Sequence, residues 1–288
     1  MAPSVLEKAL VLYGRRFPVR RGKLRIINFL SKLADSNDST SRLTVLKYGS
    51  FKMPCDLSEM LQRQFYYFGT YLVEEIIIDC WQSVAQGAMT VFDLGANAGI
   101  YSLAALAVAP RAHVHAFEPT PEIANRLRST AKLNGLNHLH VHEVAVSMRS
   151  GTANLNRCRG ELGSNEGMNF ISEAAVADDG ERVPTIGLDQ FCADQSINEI
   201  DLLKIDVQGH EYAALRGAEQ LIGTGRIGTI FMELNWADRS QSHCPAKQSV
   251  QFLKQFNYLF SKPGKQLNWQ PAGDWMWNLS DIVARRAP

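Results

Sequence analysis

The side chains best placed to do chemistry are acids at the ends of apolar runs. Val91–Ser102 reads VFDLGANAGIYS: an apolar run ends in Asp93, a small-residue turn carries Gly95, Asn97 and Gly99, and an alanine- and leucine-rich segment continues to Ala109. A buried strand, a tight turn and a helix in that order deliver a nucleotide-like ligand to a helix N-terminus. A dinucleotide turn needs Gly-x-Gly-x-x-Gly, whose middle glycine clears room for pyrophosphate. Here Gly95 fits the first position, but Asn97 stands at the second and Ile100 at the third. Asp93 would also repel phosphate and welcome a cation. S-adenosylmethionine, with an ammonium, a sulfonium and no phosphate, has the matching chemistry, and NAD is disfavoured.

Further acids follow the same logic. The run HVHAFEP ends in Glu118, whose carboxylate can accept both ribose hydroxyl hydrogens, from either cofactor. The bland alternative for Asp93 and Glu118 is charge complementarity at helix N-termini. DLLKIDVQGHE, residues 201–211, repeats strand, acid and glycine turn, ending its strand in Asp206. Asp206, His210 and Glu233 are the three residues where a general base could activate a hydroxyl. An imidazole titrates near neutral pH, although His210 could equally bind backbone at a helix start. Glu211 reads as a structural first-turn acid. A divalent metal on Asp206, Glu233 and Asn235 is chemically possible but not favoured. His113, His115, His138, His140 and His142 alternate along strands, so their side chains lie along a sheet face rather than converging at its end. No metal site is assigned to them.

The elements that must position these groups alternate from residue 90 onward. Strands are expected at Thr90–Leu94, His113–Phe117, Leu139–Val146, Asp201–Asp206 and Gly228–Leu234, with helices between them, notably over Pro121–Asn134 and Glu211–Leu221. Tyr258–Ser261 and Asp281–Ala284 form a closing pair. This is the pattern of an α/β protein with a parallel, doubly wound sheet, which binds ligands at the carboxyl ends of its strands. Residues 154–189, rich in glycine, interrupt the alternation as an excursion or lid. Upstream, residues 5–35 read as two helices broken at Pro18 and Gly22. A polar loop over residues 34–41, short strands at Leu43–Tyr48 and Ser50–Met53, and helices at Leu57–Phe65 and Leu72–Ala85 follow. The expected division is an N-terminal helical extension with short strands, 1–85, and a catalytic domain, 86–288.

Taken together, these motifs resemble the FkbM-type methyltransferases, S-adenosylmethionine-dependent O-methyltransferases. The resemblance rests on DLGANAGIYS, FEP, VPTIGLD (183–189), DLLKIDVQGHE and LRGAE (215–219), with QFYYFGTY (64–71) as a lead-in. The family often has Glu where Gln208 stands. The resemblance implies a Rossmann-like class I methyltransferase sheet, mostly parallel with an antiparallel last strand. It implies that Asp93, Gly95, Asn97 and Gly99 hold the methionine part of the cofactor and Glu118 its ribose. Glu143, Val144 and Ala145 would border the adenine, and Asp206 would lie near the sulfonium and the acceptor. The acceptor would be a hydroxyl of a small molecule, natural product or saccharide.

Bulk properties agree with an ordinary soluble globular protein. Hydrophobic residues make up 45% and charged residues 20% of 288 residues, with a net charge of +1 that provides no global field for nucleic acid. Arg15, Arg16, Arg20, Arg21, Lys23 and Arg25 cluster locally, as a solvated face or an anionic contact. A nucleic-acid methyltransferase and a non-catalytic binding module are the alternatives. Five scattered cysteines without a CxxC pair fit reduced thiols, and no signal peptide or membrane span is read, so a cytoplasmic location is expected. Substrate choice is assigned to the excursion, with Arg157–Arg159 and Asn165–Asn169, and to Trp236, Trp269, Trp275 and Trp277, as core or as an aromatic platform.

Overall fold

The computed structural model describes residues 3–17, 22–34, 41–160, 163–164, 168–172, 181–235, 244–276 and 279–287. Pro18, Arg20, Arg21, Asn165, Trp236, Trp277 and most of the loop expected over 34–41 lie outside them.

The chain opens with helices α1 (Val5–Arg16) and α2 (Lys23–Ala34). Ser4 closes α1 with a reciprocal capping box, its Oγ accepting from Glu7 N at 3.1 Å while Glu7 Oε2 accepts from Ser4 N. A hairpin, β1 (Ser41–Val45) and β2 (Lys52–Asp56), then leads to α3 (Met60–Phe68) and α4 (Glu75–Ala85). The two short strands expected at Leu43–Tyr48 and Ser50–Met53 are therefore shifted outward, because residues 46–51 form the turn, with Gly49 at φ +66°.

The α/β core follows: β3 (Thr90–Leu94), α5 (Ile100–Val108), β4 (His113–Phe117), α6 (Pro121–Leu133) and β5 (Leu139–His142). An excursion comprises β6 (Ala145–Val146), β7 (Gly151–Asn156), β8 (Arg159–Gly160), β9 (Gly163–Ser164), β10 (Phe170–Ser172) and β11 (Glu181–Ile186). The chain then continues through α7 (Leu188–Asp194), β12 (Ile200–Ile205), α8 (Glu211–Arg216), α9 (Glu219–Gly223), β13 (Ile227–Glu233), α10 (Pro245–Gln255), β14 (Tyr258–Ser261) and β15 (Asp281–Arg286).

The central sheet has the order β14-β15-β13-β12-β3-β4-β5. Its β3, β4, β5, β12 and β13 are parallel, and β15 runs antiparallel to both β13 and β14. This is the expected Rossmann-like methyltransferase sheet, with the last strand reversed. Successive residues point to opposite faces, so Val91, Leu202 and Phe231 enter one apolar cluster with α4 and α5. Phe92, Leu203 and Ile230 enter the other, with α7 to α10. Residues from Leu10 to Ala88 share the first cluster with the sheet. Trp81 joins the layers: it is fully buried, donates Nε1–H to Tyr101 O at 2.9 Å and meets Tyr101 and Phe231 edge-on.

Two expected elements divide. Leu139–Val146 is not one strand: Leu139–His142 stays in the central sheet, while β6 pairs with β11 in a second sheet of order β10-β7-β11-β6. The excursion thus starts at Ala145 rather than at residue 154. The helix expected over Glu211–Leu221 breaks at Gly217, where a Cβ would lie 2.0 Å from Ser147 O. Asp189 caps the second piece, its carboxylate accepting from Gln220 N and Leu221 N at 2.9 and 3.0 Å.

Candidate active site

The turn after β3 is built by backbone contacts that demand its sequence. Gly95 has φ +74°, and a Cβ there would lie 1.9 Å from Asp206 O, so the loop after β3 sits directly against the loop after β12. Gly95 N and Ala96 N both donate to Phe117 O at 3.0 Å, tying the turn to the end of β4. Asn97 adopts φ +47°, a conformation asparagine tolerates, and its Oδ1 accepts from Ala98 N. Gly99, also left-handed, is the N-cap of α5.

Asp93 is turned inward. Its Oδ2 accepts from Ser102 N at 3.0 Å and Ser102 Oγ at 2.6 Å, so it anchors the first turns of α5 from beneath. Burial pushes its carboxyl up to about 6, against the Ser102 hydrogen bonds and the charge of Lys204. It does not line the cleft beside the turn, whereas Gly95, Asn97 and Glu118 do. Glu118, 5% exposed, accepts from Asn97 N through Oε2 at 3.0 Å and from Thr120 N through Oε1 at 2.8 Å. Burial raises its carboxyl, opposed by those bonds.

The cleft is completed by Ala145 and Val146 from β6, Leu155 from β7, Phe170 and Ile171 from β10, and Asp206 to Gln208 after β12. The excursion therefore roofs the carboxyl end of the sheet. Of the three residues expected near the adenine, Ala145 lines the cleft. Glu143 instead pairs with Arg128 at 2.8 Å on the surface, and Val144 packs half-buried on the second cluster.

A group of acids surrounds Asp206, the member of the group that lines the cleft. The β12–β13 register continues from Ile205–Met232 to put Asp206 beside Glu233, and Glu233 faces Asp281 on β15. Gln208 Nε2 donates to Asp206 Oδ1 at 2.8 Å and to Glu233 Oε2 at 2.7 Å. Lys204, 1% exposed, places its ammonium 3.4 Å from Asp206 Oδ2, 3.8 Å from Asp281 Oδ1 and 4.8 Å from the Tyr101 ring centroid. Tyr101 Oη donates to Glu74 Oε2 at 2.7 Å. Burial works to raise Asp206, but Lys204 and the Glu233 and Gln208 hydrogen bonds win and hold it below the usual range. Glu233 is pushed well up by burial and then by the Asp206 charge, so it keeps the proton that the pair shares. Burial also raises Glu74 and Asp281. The ammonium of Lys204 is held by these carboxylates against its own burial.

His210 caps α8 without a side-chain bond to that helix; its Nε2 lies 2.8 Å from the hydroxyl oxygen of Ser147, in the segment leading from β6 to β7. It is not among the cleft-lining residues. Glu211 is buried, accepting from Gly209 N at 2.8 Å, and burial raises it to about 7. The histidines run along the sheet as expected, with His113 against His140 and His115 against His142 at 3.2 and 3.1 Å between ring nitrogens. Among the described residues, no group of three or more His, Cys, Asp or Glu is disposed to hold a metal ion. Trp269 is half-buried beneath the Arg285 guanidinium, and Trp275 Nε1 donates to Pro271 O. Sequence reasoning missed Lys204, Glu74, Tyr101 and Asp281. The signals were a lysine inside the apolar run LLKI and an acid inside the apolar stretch Tyr71–Ile78.

The family model described as the Methyltransferase FkbM domain matches residues 93–260. The chain belongs to this family and is a methyltransferase. Among curated proteins it is 27% identical over 184 residues to the 2-O-methyltransferase NoeI of Sinorhizobium fredii, covering 60% of this chain and 74% of that one. It is 32% identical over 154 residues to the 31-O-demethyl-FK506 methyltransferase FkbM of Streptomyces tacrolimicus, covering 45% of this chain and 59% of the relative. Among solved structures it aligns with an O-methyltransferase from Bacillus cereus in complex with SAH at 12% identity and TM-score 0.43, over 96% of this chain and 95% of that one.

Proposed function

We propose that this methyltransferase uses S-adenosylmethionine to methylate a hydroxyl of a small molecule, natural product or saccharide. One observation carries the reading: the cleft joins a carboxylate at the end of β4 and an apolar roof to a second carboxylate at the end of β12. The donor set fits the cofactor. Glu118 and the turn at Gly95 and Asn97 offer acceptors and backbone to its ribose and amino-acid part, and Ala145, Val146 and Phe170 offer apolar contact to a flat base. Asp93 and Gly99 serve indirectly, by fixing the turn and the start of α5.

When bound, the cofactor supplies an electrophilic methyl group on a sulfonium. The residues of this chain orient the acceptor oxygen, take its proton and exclude water, and positioning accounts for much of the acceleration. Asp206 is the ionised acid at the cleft and is assigned the acceptor proton. Glu233, protonated and bonded through Gln208, holds Asp206 in place, and Lys204 keeps it ionised. His210, engaged with Ser147, is assigned to positioning the loop after β12. Transfer to oxygen is assigned by likeness to the 2-O-methyltransferase NoeI and the 31-O-demethyl-FK506 methyltransferase FkbM.

A screen of tritiated-methyl transfer across hydroxylated acceptors, with and without EDTA, tests the reading. Label on a hydroxylated product, unaffected by EDTA, supports it. Label on nitrogen or carbon only refutes the O-transfer, and loss with EDTA restores the metal on Asp206, Glu233 and Asn235.

A further inference from the structure

The charge of this chain is divided sharply along its length. Of 30 lysines and arginines and 29 acids, eight and one fall within residues 1–34, leaving 22 against 28 in the rest. The single acid, Glu7, is turned inward: it is 2% exposed, paired with Arg42 at 2.9 Å and bonded to the Tyr66 hydroxyl at 2.7 Å. Two of the basic residues serve the fold. Arg15 donates to Val45 O and Tyr66 O at 2.8 and 2.9 Å, and buried Lys23 donates to Phe17 O.

What α1 and α2 present outward is apolar and basic together. Val5, Lys8, Ala9, Leu12 and Arg16 follow helical spacing and form one exposed stripe of α1. Among the described side chains of α2, Arg25, Ile26 and Phe29 are exposed. Leu12 is 56%, Phe17 53% and Phe29 68% exposed, so large apolar side chains stand beside the cations on these helices. An interfacial helix combines these two features, with apolar side chains for the acyl boundary and cations for anionic headgroups. Nucleic acid would be served by the cations but gains nothing from Val5, Leu12 or Ile26. A second copy of the chain would bring the same positive surplus to the contact.

We propose that the outer faces of α1 and α2 dock this protein on an anionic lipid surface. The docking is peripheral: among the described residues no helix is long and apolar enough to cross a membrane. Each basic residue near such a surface strengthens binding about fivefold, and salt screens the effect.

Vesicle co-sedimentation of the full chain tests this, with phosphatidylcholine alone and with phosphatidylcholine mixed with phosphatidylglycerol. Binding at least about tenfold tighter to the anionic vesicles, weakened by salt, is expected. The double variants Leu12→Ser/Phe29→Ser and Arg16→Glu/Arg25→Glu change only exposed positions, and each should weaken vesicle binding with the thermal midpoint unchanged. Equal binding to both vesicle types, or full binding by both variants, overturns the proposal. So does salt-sensitive RNA or DNA binding without vesicle binding, or a concentration-dependent dimer that Leu12→Ser/Phe29→Ser abolishes.

Discussion

Asp206 and Glu233 stand side by side at the ends of adjacent parallel strands, bridged by the Gln208 amide, which donates to one carboxyl at 2.8 Å and to the other at 2.7 Å. Two carboxylates this close do not both ionise, and Lys204, 3.4 Å from Asp206, decides which one does. Asp206, which lines the cleft, is held low by Lys204 and its hydrogen bonds, while burial and the Asp206 charge raise Glu233, so the charge is assigned to Asp206 and the proton to Glu233.

Replacing Asp206 by Asn removes the acid assigned the acceptor proton while keeping its shape. Methyl transfer should fall about 10²- to 10⁴-fold, the range of a lost general base. Binding of S-adenosylhomocysteine by calorimetry should stay within about threefold of the parent, since this acid acts on the acceptor. A comparable loss of binding would mean that Asp206 serves the cofactor instead.

Lys204→Met leaves buried carboxylates without their cation. Removing one partner of a buried ion pair costs about 3–5 kcal/mol. In the parent, Asp206 lies below its unfolded value, so its contribution is present above that value and is lost as pH falls through the folded one. Without Lys204 the acids are all raised, and the unfolded chain releases protons first. Denaturant midpoints of the variant should therefore rise more steeply than the parent's as pH falls from 8 to 5, and a slope equal to the parent's would refute the ion-pair account.

Asp93 and Glu211 make the parent itself sensitive at higher pH. Burial raises them to about 6 and about 7, from 3.8 and 4.5. Between the unfolded and folded values the native state holds more protons, so their effect is to lower stability as pH rises from about 4 to 7. Glu211→Gln should flatten this part of the stability–pH curve by about 2–3 kcal/mol, measured by chemical denaturation. An unchanged slope would place the Glu211 carboxyl in the ordinary range.

Gly95→Ala puts a Cβ against Asp206 O at a positive φ. The turn or the end of β12 must shift, and the destabilisation should exceed about 2 kcal/mol. Thermal melts and cofactor-product titration should fail together, because the same contact sets the fold and the cleft.

The strand–turn–helix unit, the parallel sheet and its reversed last strand were legible because each strand is a short apolar run closed by an acid or a glycine turn. The break at Gly217 was not, since it is set by the backbone of Ser147, a residue far away in sequence. The excursion begins early for a similar reason: Ala145 pairs with Thr185 across some forty residues. Local spacing singled out Glu118, Asp206 and Glu233, and the fold brings Glu118 and Asp206 to one cleft with Glu233 beside Asp206. It could not show that Asp93 bonds inward to Ser102 or that His210 is engaged by Ser147, because side-chain direction depends on packing. Lys204 and Glu74 stood out only as charges inside apolar runs, and what they meet depends on four different elements.

Calorimetric titration with S-adenosylhomocysteine, beside a titration with NADH, tests the central claim most directly. The account predicts one site per chain for S-adenosylhomocysteine, an affinity at least about tenfold weaker in Glu118→Ala, where buried donors lose their acceptor, and no binding of NADH. Saturable NADH binding with none of S-adenosylhomocysteine would contradict it.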